Sequence, residues 1–259
     1  MSKNLNFKKL DKYIGCLEIS REPLNALSSV FLEEIHSIIK KINIDNECRV
    51  LIIKSGLKNF SVGADLKERK IMSKSESHNA LEIFNNCFNA IEDIKIPTIC
   101  LINGYCLGGG TELSLSCDIR VASENAIIGL PETSIGIIPG AGGTFRLSKA
   151  IGLQNSKYWV FTAKKFSAKE SLKYGFLHKL VDENELFECG LKIANDILKN
   201  APIAVKSSKK AINENLFLND RLACIENERI NYNKTLITKD RDEALDAFIN
   251  KRKPIWKNE

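Results

Sequence analysis

Three consecutive glycines are followed, after Thr111, by a glutamate, Glu112, in LGGGTELSLSCD, residues 107–118, and a second glutamate, Glu132, lies 20 residues later in GLPETSIG. Glycine costs about 0.8–1.0 kcal/mol relative to alanine inside a helix, so a triplet at the head of an apolar run with helical spacing needs a backbone reason. Bare backbone at a strand-to-helix turn lets a ligand approach the first helical amides, which have no partner within the helix. A second candidate donor lies in FSVGADLKE, residues 60–68, where Gly63 precedes Ala64. Two main-chain N–H groups aimed at one carbonyl oxygen form an oxyanion hole, and losing one such donor costs about 3 kcal/mol of transition-state stabilisation. Glu112 and Glu132 beside it could divide acid and base work if their surroundings separate their pKa values. Read singly, each glycine cluster is also a tight turn, and each acid is also a helix-terminus or surface carboxylate.

The elements that must carry these residues alternate in the first half of the chain. YIGCLEI (13–19) and CRVLIIK (48–54) have the β-branched texture of strands, and residues 28–42 between them repeat apolar positions at helical spacing. The pattern predicts a further helix over 82–94, a buried strand over 98–102, short strands over 119–122 and 126–129, and a helix starting near Gly109. One helix, a short strand and a returning strand fit between Glu112 and Glu132, enough to bring the second acid back beside the first. After Gly143 strand signals nearly vanish, and helices are expected near 145–162, 167–173, 184–199, 202–213, 218–235 and 240–250. The reading is a β/α core over 1–200 and a helical C-terminal region over 201–259, with no Pro/Ser-rich linker between them.

Composition narrows the class. Hydrophobic residues at 44% and charged residues at 27% are ordinary for a globular chain of 259 residues, and no run reaches the roughly 18 apolar residues of a spanning helix. No membrane association is expected. Eight cysteines lack any C-x-x-C pair and sit mostly in apolar runs, which points to reduced thiols; three separated histidines argue against a metal site. No secretory or Arg-rich presequence precedes the first strand-like run at Tyr13, so a cytoplasmic location is expected, or the mitochondrial matrix if a leader has been removed.

Taken together, FSVGADLKE, INGYCLGGGTELSLSCDIRVA and GLPETSIGIIPGAGGTFRL resemble the crotonase, or enoyl-CoA hydratase/isomerase, family in order and spacing. NAL at 25–27 and AFINKRKP near the end also match, so the likeness spans nearly the whole chain. It implies a crotonase-like ββα superhelical α/β core with a helical C-terminal trimerisation region, assembled as a homotrimer or homohexamer. Ala64 and Gly109 match the positions whose amides hold a thioester oxygen. Glu112 matches the base acting on water and Glu132 the acid supplying the α-carbon proton. Gly140 matches a loop position that packs at the site.

The resemblance also implies that coenzyme A enters as part of an acyl-CoA substrate, with no covalently bound cofactor and no metal. It would lie along Ala64, Asp65, Leu66 and Lys67, with Lys67 and a neighbouring subunit's Lys251 near its phosphates and Tyr232 against the ligand. Retention of both acids favours hydration of a short or branched enoyl-CoA over other reactions of the family, such as isomerisation. GADLKERKIM, GLPET and TKDRDE look like the branch that holds methylglutaconyl-CoA and short-chain enoyl-CoA hydratases. Some relatives in that branch also bind RNA through a lysine-lined first helix. Here SSVFLEEIHSIIKKI carries Glu33 and Glu34 with only Lys40 and Lys41, so nucleic-acid binding is not expected despite the net charge of +6.

Overall fold

The computed structural model describes residues 3–259. In chain order the elements are β1 (Leu5–Lys9), β2 (Ile14–Ile19), α1 (Ser29–Ile44), β3 (Val50–Ser55), α2 (Leu66–Ile71), α3 (Lys74–Asp93), β4 (Thr98–Ile102), β5 (Tyr105–Leu107), α4 (Gly109–Leu115), β6 (Ile119–Ser123) and β7 (Ile127–Gly129). A 3-10 turn (Glu132–Ile135) leads to α5 (Gly143–Ile151), α6 (Leu153–Thr162), β8 (Lys165–Ser167), α7 (Ala168–Lys173) and β9 (Lys179–Val181). A second 3-10 turn (Glu183–Glu185) is followed by α8 (Leu186–Leu198), α9 (Pro202–Asn215), α10 (Arg221–Leu236) and α11 (Lys239–Ile249).

The main sheet runs β1-β2-β3-β4-β6-β9, with β1 antiparallel on one edge and every other pairing parallel. Parallel strands covered on both faces read as unbroken apolar runs, and these do. Their alternating residues feed two separate cores. Leu17, Leu51, Ile53 and Ile102 pack toward α1 and α3, while Ile14, Val50, Ile52 and Leu101 pack toward α8. Gly190 lets α8 sit close, because a β-carbon there would lie 2.9 Å from Leu101. A smaller sheet, β5-β7-β8, stands beside the first and carries the glycine-rich turn.

Most expected elements are present, with instructive differences. The run ahead of Tyr13 holds a strand, β1, an edge strand whose mostly exposed side chains give little apolar signal. The predicted 82–94 helix starts earlier, at Lys74, where Ser73 and Glu76 form a reciprocal capping box. The expected 145–162 helix is two helices, broken at Gly152 with φ +80°. Two three-residue strands, β8 and β9, fall between the helices expected over 145–162, 167–173 and 184–199, where no strand was expected.

The start of α4 packs against the loop after β3 with no room for a side chain at Gly110. A β-carbon on Gly110 would lie 2.6 Å from the Ser61 carbonyl oxygen and 2.8 Å from Ser61 Cβ. Gly110→Ala is therefore expected to lower the stability measured by urea unfolding by about 1–3 kcal/mol, the usual cost of overpacking; an unchanged midpoint would show that this contact has slack.

Candidate active site

The glycine triplet is placed by two bridges between loops. Ser61 pairs in parallel with Cys106, through Ser61 N–H to Tyr105 O at 3.0 Å and Leu107 N–H to Ser61 O at 2.9 Å. Leu27 pairs with Ala64, through Leu27 N–H to Gly63 O at 2.7 Å and Asp65 N–H to Leu27 O at 2.9 Å. In this register Leu27 uses its own donor and acceptor, and the Ala64 N–H is left over. Gly63 has φ +91°, and a β-carbon on it would lie 3.0 Å from the Gly109 nitrogen. Gly108, with φ +54° and ψ −125°, turns the chain from β5 into α4, leaving the Gly109 N–H at the open end of the helix. Neither the Ala64 nor the Gly109 amide donates to an acceptor among the described residues, and the two residues lie close, the Ala64 nitrogen being 3.5 Å from the β-carbon position on Gly109.

Buried polar groups fix these loops. The Asn25 side-chain amide donates to Ser55 Oγ at 2.8 Å and Asn59 O at 3.2 Å, and its Oδ1 accepts from Arg21 N–H at 2.6 Å. The Ser61 hydroxyl donates to Asn25 O at 2.7 Å and accepts from Gly63 N–H at 3.1 Å. Thr111 Oγ1 lies 2.7 Å from Cys106 O and 2.8 Å from Gly129 O, tying the start of α4 to β5 and β7.

The parallel register of β5 and β7 sets Leu107 opposite Gly129, which returns Glu132 to the turn it left 20 residues earlier. Glu132 Oε1 lies 3.1 Å from where a β-carbon on Gly108 would be. Glu112 comes from the first turn of α4, and its Oε1 accepts from the amides of Ala141 at 2.8 Å and Gly143 at 2.9 Å. Both acids are buried, at 4% exposure for Glu112 and 9% for Glu132. Burial raises both pKa values, but the surroundings are unequal. The two amide donors and the charges of Arg146 and Arg69 pull Glu112 back down. Glu132 has a buried Oε2 with no partner among the described residues, and burial together with the Glu112 charge lifts it to about 7. Hydrogen bonds to the anion favour it, so the surroundings favour the charged form of Glu112 more than that of Glu132.

Ala64, Gly109, Glu112 and Glu132 thus converge, and Gly140 lies on the loop that holds Glu112, packed 3.2 Å from Leu81 at its β-carbon position. Asp65 caps α2 through the amides of Lys67 and Glu68 and pairs with Arg21 at 2.7 Å. Leu66 and Lys67 project into solvent from α2. Tyr232 and Lys251 are exposed on the C-terminal helical region and bond only within it.

Sequence reading takes in Asn25 and Arg146 only within the NAL and GLPETSIGIIPGAGGTFRL matches and gives neither a role of its own, because their partners are distant in the chain. Arg146, 3% exposed at its side chain, pairs with Glu92 at 2.7 Å, donates to Asn89 Oδ1 at 2.6 Å and to Ala141 O at 3.1 Å. It braces the loop whose amides hold Glu112. All eight cysteines are free thiols, no His/Cys/Asp/Glu cluster among the described residues could hold a metal, and no helix among them is long and apolar enough to cross a membrane.

Residues 12–259 match the model of the enoyl-CoA hydratase/isomerase family. The chain is 41% identical to the short-chain-enoyl-CoA hydratase of Clostridium acetobutylicum, over 93% of this chain and 92% of that protein. It is 38% identical to enoyl-CoA hydratase domain-containing protein 2, mitochondrial, of Bos taurus, over 91% of this chain and 81% of the relative. The crystal structure of enoyl-CoA hydratase from Bacillus anthracis superimposes with a TM-score of 0.96 at 38% identity, covering 99% of this chain and 100% of that one.

Removing one partner of a buried ion pair costs about 3–5 kcal/mol, less where the other partner reaches solvent. Glu92 is 24% exposed at its side chain, so Arg146→Met is expected to cost about 2–3 kcal/mol in urea unfolding at pH 7, with Arg146→Lys intermediate. A loss below about 0.5 kcal/mol would show that the loop holds itself.

Proposed function

The chain belongs to the enoyl-CoA hydratase/isomerase family and has the crotonase fold, and on that premise we propose that it is an enoyl-CoA hydratase, adding water across the 2,3 double bond of a short or branched enoyl-CoA thioester. The observation that carries this reading is the proximity of two unengaged amides and two unlike carboxylates around one glycine turn.

The thioester oxygen accepts from the Ala64 and Gly109 amides. As an oxygen nucleophile adds at the β-carbon, electron density moves through the alkene onto that oxygen, where the preformed donors stabilise it with no reorganisation at the moment of reaction. Glu112, ionised, takes a proton from water as its oxygen bonds to the β-carbon. Glu132, protonated, delivers a proton to the α-carbon as the enolate collapses. One turnover moves a proton from Glu132 to product and another from water to Glu112, so the pair regains its starting state by passing one proton across. Unequal environments make this division workable at neutral pH.

Coenzyme A in this reading follows the segment from Ala64 to Lys67, with the exposed Lys67 ammonium available to its phosphates. A neighbouring subunit supplies Lys251 and Tyr232 to the ligand in a homotrimer or homohexamer. Support for assembly comes from the C-terminal helices, where Leu222, Ile237, Phe248 and Ile249 are each more than 70% exposed, more apolar surface than an isolated chain usually presents.

Hydration of crotonyl-CoA, followed as loss of the conjugated thioester absorbance, tests the proposal. Glu112→Gln and Glu132→Gln should each lower turnover at least about 100-fold, the contribution of a general acid or base, with little change in thermal unfolding. Since Glu132 must be protonated and loses its proton near 7, kcat/KM should fall as pH rises through that region. The basic limb should vanish in the residual activity of Glu132→Gln. Absence of turnover on short, branched and aromatic enoyl-CoA thioesters contradicts the reading. Light scattering should return the mass of a trimer or hexamer, and a monomer at micromolar concentration contradicts the assembly.

A further inference from the structure

A groove of about 700 Å³ lies between the turn that joins α4 to β6, helix α5 and helix α9, a size within the range of small-molecule sites. Ala64, Gly109, Glu112 and Glu132 are not among its walls. Ala204, Ser208, Ile212 and Leu216 recur every four residues, so one face of α9 and its end lines the groove for about 18 Å at 1.5 Å per residue. Leu115 and Ala150 line it from α4 and α5. Polar bridges hold this stretch of α9 to the core: Lys209 donates to Asp118 at 2.8 Å and to Ile96 O at 3.0 Å, and Asn213 donates to Glu92 O at 3.3 Å. Ile212 and Leu216 keep 63% and 51% exposure. An amphipathic helix usually turns such a stripe into a core; here the stripe borders the groove instead.

The charged residues of the walls are unequally matched. Arg120, Arg146, Lys149 and Lys209 line the groove together with Glu92 and Asp118. Asp118 pairs with Lys209 at 2.8 Å, and Glu92 with Arg146 at 2.7 Å. Arg120 donates to the carbonyls of Phe176, Ser114 and Cys117. Lys149 makes no ion pair among the described residues; its ammonium lies 3.3 Å from the centre of the Phe217 ring and 5.5 Å from that of Phe145. The charge of Glu92 reaches Lys149, but so does that of Arg146, and the two cations share the one carboxylate. Asp93 is a third acid, outside the lining, whose charge acts on Arg146 and Lys209. Four cations against three acids leave one positive charge over at the groove.

We propose that this groove binds a fatty carboxylate, an unbranched aliphatic chain ending in one carboxylate, with the chain along α9 and the head group at Lys149. Such a ligand buries Ile212 and Leu216 and gives Lys149 the counter-charge that Glu92 gives Arg146. The long stripe fits a chain better than a compact ring. The single surplus charge fits a monoanion, because Glu92, Asp93 and Asp118 repel further negative charge. The inference goes beyond the hydratase reading and does not depend on it, since it uses no residue of the amide and carboxylate site.

Calorimetric titration of the wild-type assembly with decanoate tests it. Decanoate should bind once per chain, about three- to tenfold more tightly than 1-decanol, as expected of a charge-assisted contact at a partly exposed lysine. Lys149→Met should remove that difference and leave the affinity for 1-decanol unchanged. Ile212→Glu, at an exposed position, should weaken decanoate at least about tenfold, since a carboxylate would then face the bound chain. Ala204→Trp, which fills the groove, should do the same; should it not fold, Ile212→Glu carries the decision. Saturating butyryl-CoA should leave decanoate binding unchanged. No binding at about 1 mM decanoate, or binding indifferent to both Lys149→Met and Ile212→Glu, overturns the inference. Displacement by butyryl-CoA overturns it too, by placing decanoate in the acyl-CoA site. So does a fall in mass by light scattering for Ile212→Glu, which would mean that a second copy of the chain fills the groove.

Discussion

Everything in the site follows from one close approach of backbone to backbone. Ser61 to Ala64 and Leu107 to Gly110 are bridged by main-chain hydrogen bonds, and the glycine contacts leave no room for a β-carbon at Gly63 or Gly110. The bridging uses the donors of Ser61, Leu107, Leu27 and Asp65 and spares those of Ala64 and Gly109. A free amide in a protein interior is costly, and here two are left adjacent. The polar network of Asn25, Ser61 and Thr111 holds the loops in that register from behind. A ligand oxygen arriving between the amides meets a demand that the fold has created.

The second constraint is electrostatic asymmetry. Two buried carboxylates of equal standing would compete for one proton without assigning it. Glu112 is given two amide donors and nearby guanidinium charge, whereas Glu132 is given burial and a negative neighbour. The loop 139–143 is therefore part of what distinguishes the two glutamates, because its amides favour the charged form of Glu112. Arg146 reaches that loop from the Glu92 side and makes its conformation a property of the core.

The glycine turn at 108–110 and the approach of the two glutamates to it were legible in the sequence because their signal is local: glycine where a helix should not want it, followed by acids at an interval that β5 and β7 can close. The strands of the main sheet were legible for the same reason, as unbroken apolar runs. Elements defined by partners were not. β1 is an exposed edge, β8 and β9 are three residues long, and the break at Gly152 depends on a positive φ within a run that still reads as helical. Arg146 and Asn25 look like any polar residue until tertiary folding brings Glu92, Ser55 and Asn59 to them.

The claim on which the mechanism turns is that the amides of Ala64 and Gly109 polarise a thioester carbonyl. Isotope-edited infrared difference spectroscopy of butyryl-CoA carrying carbon-13 at that carbonyl reports this directly, without chemistry intervening. The account predicts that the bound thioester stretch moves to lower frequency than in water, as two aligned donors draw charge onto oxygen. A stretch at or above its aqueous position, with the ligand shown to be bound, would contradict it.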